Sequence, residues 1–332
     1  MSKILITGGA GYVGSLLIDR LIKSNRNDHY TIYDKCFFGH KHIQNNEKIR
    51  LIKSDIRNIK SFSKALKDID IVLHLACISN DPSFELNSHL SKTINYDCFE
   101  DLVKSAKKNG VKKFIYASTS SVYGVSKKKN VKENHPLIPL TDYNKFKGLC
   151  EPILNSYLDR NFHGLIIRPA TLCGLSPKMR FDLTVNILSN FAYHKKFINV
   201  FGGDQLRPNL HIKDMCRLYE LLFKKSFKNI CGEIYNCGFQ NMKIIDIANK
   251  VKNIYEKKYN NEIKINITKS NDKRSYHINS SKIKKDLNFI PKYTIDDAIN
   301  ELFKAFEKKD IKNSFKNKNY FNVKKLIELG IK

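Results

Sequence analysis

Tyr143 and Lys147 stand four residues apart in Asp142-Tyr143-Asn144-Lys145-Phe146-Lys147, a spacing that puts both side chains on one face of a helix. An ammonium beside a phenol favours the phenolate and draws the group from its usual pKa of about 10 towards neutral pH. A phenolate held this way can take a proton from a substrate hydroxyl. Far upstream, Thr7-Gly8-Gly9-Ala10-Gly11-Tyr12-Val13-Gly14 follows the apolar run Ile4-Leu5-Ile6. Glycines 8, 11 and 14 allow a tight turn, close approach of the backbone to a diphosphate, and close helix packing. The helix that follows would turn its first amides and its positive dipole end towards the phosphates. Asp34 ends the next strand-like run. A carboxylate there accepts both hydroxyls of a ribose and repels a 2′-phosphate, which favours NAD over NADP.

Positioning these groups requires alternating strands and helices. Residues 4–7, 30–33, 50–53, 71–75, 113–117 and 165–168 are short apolar, β-branched runs. Helix-period segments separate them, the first from Gly11 to Ser24 with Val13, Leu16, Leu17 and Leu21 on one face. Nearly continuous apolar strands in βα alternation predict a parallel sheet covered on both faces. The expected fold class is α/β, a Rossmann-type doubly wound sheet with a smaller mixed C-terminal domain. Residues 1–170 would form the first unit, with a return of the chain around 209–238, and 171–332 mainly the second. After Pro169 the rhythm becomes irregular, and Asp296 to Lys308 is the clearest amphipathic helix of the last third. Pro152 predicts a kink after the Tyr143–Lys147 pair, because its ring conflicts with the carbonyl of residue 148.

The chain has 332 residues, 42% of them hydrophobic and 27% charged, which suits a globular core without disulfide or metal staples. No apolar run reaches the roughly 18 to 20 residues of a membrane span, and because the N-terminus leads straight into a strand, no signal peptide is expected. Collagen, coiled-coil, disordered, membrane and secreted disulfide-scaffold classes are excluded, and a cytoplasmic protein is expected. Lysine and arginine outnumber aspartate and glutamate 59 to 32, a formal charge of +27. The excess is scattered, with dense stretches only at residues 127–129 and 309–325, and lacks interleaved aromatics, so it reads as solvated surface and not as a nucleic-acid site. The eight cysteines form no CxxC pair and the ten histidines no close ligand pattern. Free thiols in a reducing compartment and no metal are expected.

The spacing Gly8-x-x-Gly11-x-x-Gly14, the segment Ser118-Thr119-Ser120-Ser121-Val122-Tyr123-Gly124 and Tyr143-x-x-x-Lys147 together resemble the extended short-chain dehydrogenase/reductase family, the nucleotide-sugar epimerases and dehydratases. Asp55-Ile56-Arg57 is similar to that family's adenine-contacting turn, and His74-Leu75-Ala76-Cys77 to its fourth-strand cofactor segment, with Cys77 in place of a usual alanine. Asn95 stands where the family has a structural asparagine. The resemblance spans nearly the whole chain. It implies NAD as cofactor, held by Gly8, Gly11, Tyr12, Val13, Gly14, Asp34, Asp55, Ile56, Leu75, Ala76, Asn95 and Lys147. It implies Tyr143, Lys147 and Thr119 as the catalytic residues. Tyr143 would take the proton of a sugar hydroxyl as hydride leaves the same carbon for the nicotinamide, with Thr119 hydrogen-bonded to that hydroxyl.

On the substrate side, Arg168-Pro169-Ala170-Thr171-Leu172-Cys173-Gly174 is similar to the family's sixth strand and loop, with Thr171 for the usual asparagine. Ser176-Pro177-Lys178-Met179-Arg180-Phe181-Asp182-Leu183 with Asn186 resembles a branch that includes nucleotide-sugar and nucleotide-heptose C4 dehydrogenases. Arg207 and Arg274 resemble two nucleotide-diphosphate contacts, and two guanidiniums could clamp a diphosphate by paired bonds. The implied substrate residues are Thr119, Ser120, Thr171, Asn186, Arg207 and Arg274, and the implied partners are a nucleotide-diphosphate sugar and a second copy of the chain. The family's 4,6-dehydratases carry Asp and Glu after the threonine, where this chain has Ser120 and Ser121, so dehydration is not expected. A 4-epimerase is the leading expectation. The alternatives are a nucleotide-sugar or nucleotide-heptose 4-dehydrogenase or 4-keto reductase and, in another class, a non-catalytic NAD-sensing or RNA-binding Rossmann protein.

Overall fold

The computed structural model describes residues 1–24, 27–43, 45–126, 128, 130–269 and 275–331. Its strands are β1 Lys3–Thr7, β2 His29–Asp34, β3 Ile49–Lys53, β4 Ile71–His74, β5 Lys113–Ala117, β6 His163–Pro169, β7 Thr171–Cys173, β8 Phe197–Phe201, β9 Leu206–His211, β10 Ile234–Cys237, β11 Gln240–Lys243 and β12 Lys264–Thr268. Its helices are α1 Tyr12–Lys23, α2 Ile59–Ala65, α3 Asp81–Glu85, α4 Ser88–Lys92, α5 Phe99–Lys108, α6 Asp142–Ser156, α7 Thr184–Lys195, α8 Ile212–Lys224, α9 Ile244–Tyr259, α10 Ser281–Leu287, α11 Ile295–Glu307 and α12 Asn322–Glu328. The six apolar runs singled out in the sequence coincide with β1 to β6 to within a residue or two.

Seven strands form one sheet in the order β10-β6-β5-β4-β1-β2-β3, and every pairing in it is parallel. Alternation along β1 sorts its side chains between two cores. Ile4 and Ile6 pack with Leu17 and Leu21 of α1 and Leu218 and Leu222 of α8 on one face. Leu5 packs with Phe99 and Leu102 of α5 and Leu154 of α6 on the other. Burial on both faces is why these strands read as continuous apolar runs. Strand order reverses at β1 and β4, which opens a crevice at their carboxyl ends.

The chain leaves this sheet after β6 and rejoins it when β10 pairs with β6. Between and beyond lie a three-stranded sheet, β11-β9-β7, and a two-stranded one, β12-β8. Helices α7, α9 and α11 close around a third core built from Phe181, Val185, Leu188, Ile247, Val251 and Phe303. A reciprocal cap starts α11: Thr294 Oγ1 accepts the Asp297 amide and Asp297 accepts that of Thr294, a device that satisfies two otherwise orphaned donors.

Pro152 does not end α6. The helix is continuous from Asp142 to Ser156. The proline sits on its exposed side, while Cys150 and Leu154 flank it fully buried, so core packing outweighs the single lost backbone bond. All eight cysteines are free thiols. Cys98, Cys150, Cys173, Cys216 and Cys237 are buried, and Cys36, Cys77 and Cys231 half-buried.

Candidate active site

The crevice at β1 and β4 is the mouth of a cavity of about 530 Å³. Its first wall is the turn after β1. Gly8 takes φ +69°, and a side-chain carbon there would come within 2.7 Å of the Ala76 amide, so only glycine lets the turn lie against the strand-four segment. Thr7 Oγ1 joins the same two strands, 2.9 Å from His74 Nδ1 and accepting the Ala76 amide at 3.2 Å. Burial pushes His74 down to about 3, so this imidazole is a neutral structural link at working pH. Helix α1 starts from Gly11 with no capping side chain and no acidic residue in its first turn, which leaves an amide-rich, electropositive end facing the cavity.

Asp34, at the end of β2, accepts the Ala10 amide at 3.0 Å and the Cys36 amide at 2.6 Å. Burial raises its pKa, and these two amides and the charge of Lys178 oppose the rise. Asp55 and Ile56 continue the wall. Asp55 is held below the usual carboxylate range, first by the Arg57 guanidinium that grips it at 2.8 to 3.0 Å.

The opposite wall comes from β5, the turn after it and α6. Thr119 caps the short helical turn Ser120–Tyr123, its Oγ1 accepting the Ser121 amide at 3.1 Å. Thr141 caps α6 and donates to Asp81. Thr119, Tyr143 and Lys147 all line the cavity that the glycine turn and Asp34 line. Beneath them, Ser118 donates to Glu151 at 2.6 Å, and Glu151 holds Arg168.

The electrostatics of Tyr143 differ from the sequence expectation. Lys147 gives its ammonium to the Ala117 carbonyl and lies 4.6 Å from the centre of the Tyr116 ring. Tyr143 is held well above the usual phenol range, chiefly by burial and then by Cys77 and Asp81, while Arg180 and the Asn80 amide act in the opposite sense. Desolvation therefore outweighs the nearby cations in the protein alone, and the phenol keeps its proton. Among the leading influences on Tyr143 the cation is Arg180. It makes a forked pair with Asp182 at 2.9 and 3.1 Å and reaches Ser79 Oγ at 3.1 Å. Asn80, whose amide serves Tyr143, has φ 72° and ψ 156°, a region that L-residues other than glycine rarely enter. Its side chain is tied to Ser83 and Asp182.

The structure brings most of the sequence-derived site residues together. Gly8, Gly11, Tyr12, Val13, Gly14, Asp34, Asp55, Ile56, Leu75, Ala76, Thr119, Tyr143, Lys147, Thr171 and Arg207 all line the one cavity. Three do not. Asn95 uses both ends of its amide on the backbone of Ile78, at 2.8 and 2.9 Å, so it shapes the loop after β4. Ser120 is 1% exposed and is not among the residues that line the cavity. Three residues per turn of that short helix bring Ser121 to the wall instead, its Oγ 3.0 Å from Tyr276. Asn186 is fully buried and holds Gly174, Arg180 and the Tyr12 hydroxyl, which makes it a brace between α1 and the loop after β7. Arg274 lies outside the described residues. Sequence reasoning missed Ser79, Asn80, Asp81, Lys178, Arg180, Asp182 and Asn322 as wall residues. Lys178, Arg180 and Asp182 belong to a segment noted for its resemblance, whereas Asn322 sits in a lysine-rich stretch with no motif.

The description "NAD dependent epimerase/dehydratase family" fits a match over residues 4–238. A UDP-glucose 4-epimerase of Lactobacillus helveticus is 26% identical over 275 residues, covering 76% of this chain and 82% of that protein. The human dTDP-D-glucose 4,6-dehydratase is 29% identical over 261 residues, covering 75% and 73%. Among solved structures, the UDP-glucuronic acid 4-epimerase of Bacillus cereus, in complex with UDP-glucuronic acid and NAD, superposes with TM-score 0.80 at 29% identity, over 92% of this chain and 99% of that one. Epimerases and dehydratases thus match to a similar degree. With well over half of its length matched and a cavity built on the glycine turn and the Tyr143–Lys147 helix, the chain belongs to the NAD dependent epimerase/dehydratase family.

Proposed function

We propose that this protein is a nucleotide-sugar 4-epimerase that uses bound NAD. The observation that carries the reading is the shared cavity: Thr119, Tyr143 and Lys147 line the same cavity as the glycine turn, Asp34 and Arg207. The residues present fit the cofactor. Gly8 lets the turn close against Leu75 and Ala76 at the cavity mouth, α1 offers uncapped amides to a diphosphate, and Asp34 offers a carboxylate to a ribose. When bound, NAD takes up the hydrogen of a sugar carbon with its electron pair and gives it back, and its oxidised ring brings a positive charge.

Tyr143 accepts the proton of the C4 hydroxyl and returns it after the sugar has turned over. Positive charge arriving beside its phenol opposes the desolvation that holds the proton on. Thr119 hydrogen-bonds the same hydroxyl and orients it. Lys147, anchored on Ala117, stiffens this part of α6 and adds a cation to the wall. Arg207 faces the nucleotide diphosphate, and Thr171 the sugar.

Elimination of water would need an acid beside Thr119. Ser120 and Ser121 follow it, and the carboxyl groups on the wall are already engaged: Asp34 by two amides, Asp55 by Arg57, Asp81 by Thr141 and Asn144, Asp182 by Arg180. This favours redox chemistry at C4 over dehydration. A second reading, a 4-dehydrogenase or 4-keto reductase, draws support from the segment Ser176 to Asn186, which resembles such a branch and supplies Lys178, Arg180 and Asp182 to the wall. A homodimer is proposed as well, with Leu149 on α6 and the neighbouring Ile138 and Leu140 as an exposed apolar face that a second copy would cover; sedimentation analysis tests it.

Product analysis separates the readings. Nucleotide hexoses, UDP-glucose and UDP-glucuronic acid among them, are incubated with the protein and NAD. A product of unchanged mass with C4 inverted supports the epimerase. One lighter by two hydrogens makes it a dehydrogenase, and one lighter by a water molecule a dehydratase.

A further inference from the structure

Lys178 is a lysine on the cavity wall that the chemistry at C4 leaves unused. It is 5% exposed. Its loop is laid along the first turns of α1: the Lys178 amide donates to Ser15 Oγ at 3.1 Å, and Ser176 Oγ donates to the Tyr12 carbonyl at 2.6 Å. The side chain runs over the Phe38 ring, 4.0 Å from its centre, and its ammonium donates to Asn322 Oδ1 at 3.2 Å. Among the described residues Asn322 is its hydrogen-bond acceptor, although an ammonium carries three donors. Asp34, which lines the same cavity, feels its charge. A desolvated ammonium costs free energy unless an anion meets it, and the uncapped end of α1 beside it is where an anion is favoured.

We propose that Lys178 is a cofactor-binding residue whose ammonium meets the diphosphate of the bound dinucleotide at the amino end of α1, and that Asn322 of the C-terminal helix holds it in place. This rests on the reading of the cavity as a dinucleotide site. Asn322 is built for the task. Its amide donates to Asp182 at 3.2 Å and its Nδ2 to Ser79 Oγ at 2.9 Å, so one side chain joins the loop after β4, the loop after β7 and α12. Val323 and Leu326 of α12 line the same cavity, and Leu326 is anchored in the second core. The C-terminal helix is thereby part of the cofactor wall. Burial brings the ammonium down to about 7, the mark of a charge that the protein alone leaves poorly compensated.

The test is calorimetric titration of cofactor-stripped protein with NAD, ADP and adenosine, for the wild type, Lys178→Met, Lys178→Arg and Asn322→Ala. Loss of one charge-assisted bond predicts NAD and ADP binding weakened about tenfold or more in Lys178→Met, with adenosine affinity unchanged. Lys178→Arg regains most of the loss, and Asn322→Ala weakens NAD and ADP to a smaller degree. Without ligand, Lys178→Met melts no lower than the wild type, because the buried charge is gone. Unchanged ADP affinity in Lys178→Met, or equal weakening of ADP and adenosine, overturns the proposal. So does tighter wild-type binding of NADP than NAD that is lost in Lys178→Met, since the lysine would then face a 2′-phosphate. A wild-type protein that binds neither NAD nor ADP overturns the reading of the cavity itself.

Discussion

Glu151 and Arg168 meet in a forked ion pair, Nε to Oε1 at 3.0 Å and Nη2 to Oε2 at 2.5 Å, with both side chains 3% exposed. Arg168 continues to the Tyr123 hydroxyl and the Glu133 carbonyl, and Tyr123 to Asn236. Glu151 also takes Ser118, the residue before Thr119. One buried pair therefore ties α6, β6, β10 and the turn that carries Thr119.

Breaking this pair leaves a buried charge uncompensated. Glu151→Gln is expected to destabilise the fold by about 3–5 kcal/mol, read by chemical denaturation. The double substitution Glu151→Met with Arg168→Met is expected to recover much of that loss. Additive losses in the double variant would show that the pair acts through shape and not through charge.

Tyr143→Phe is expected to lower turnover by about 10²- to 10⁴-fold, the usual worth of a positioned acid–base group, and to leave NAD affinity and the melting temperature unchanged. A variant that retains turnover would move the acid–base role to another residue. Retention of the protein's biological effect without turnover would favour a binding protein.

In the proposed dinucleotide site, Asp34 is the residue that selects the cofactor. Asp34→Asn retains an acceptor for one of the two amides it binds and removes the charge that repels a 2′-phosphate. NAD binding is expected to weaken about tenfold, as for a lost charge-assisted bond, while the ratio of NADP to NAD affinity rises. An unchanged ratio, measured by titration, would place the ribose elsewhere.

Lys178 predicts a pH dependence. Its ammonium is held at about 7, below the usual 10.5, by burial first and then by Arg180, with Asp182 and Asp34 pulling upward. His42 lies on the same side and is itself lowered by burial. In the free protein the lysine loses its proton above pH 7, and an anionic diphosphate favours its return. NAD affinity is therefore expected to fall as pH rises from about 7 towards 10, with net proton uptake on binding at pH 8. Across the same window the unfolded chain binds more protons than the folded one, so this group makes the ligand-free fold more stable as pH rises. Titrations in buffers of different ionisation heat measure the uptake, and its absence would contradict the assignment.

The strands and the glycine turn were legible because their signals are local. Ile4-Leu5-Ile6 carries its own burial pattern, and Gly8 its own backbone need. The pairing of Tyr143 with Lys147 was legible as helical spacing, yet its electrostatics were not. The Ala117 carbonyl that takes the ammonium comes from β5, and Arg180 comes from the loop after β7. Asn95 and Asn186 matched motif positions, but contacts distant in sequence decided their roles as braces on Ile78 and on Gly174. Asn322 was invisible for the same reason, since its partners Ser79, Lys178 and Asp182 lie more than a hundred residues upstream. At Pro152 a strong local signal meets the core: α6 runs through it, with Cys150 and Leu154 buried on either side.

The most direct test of the account follows a single atom. A nucleotide hexose that the protein turns over is supplied with deuterium at C4, and the product is read by mass spectrometry and NMR. Hydride transfer away from C4 and back to it predicts slowed turnover and a C4-inverted product that still carries its deuterium at C4. Undiminished turnover with the label untouched, or a product formed at another carbon, would contradict it.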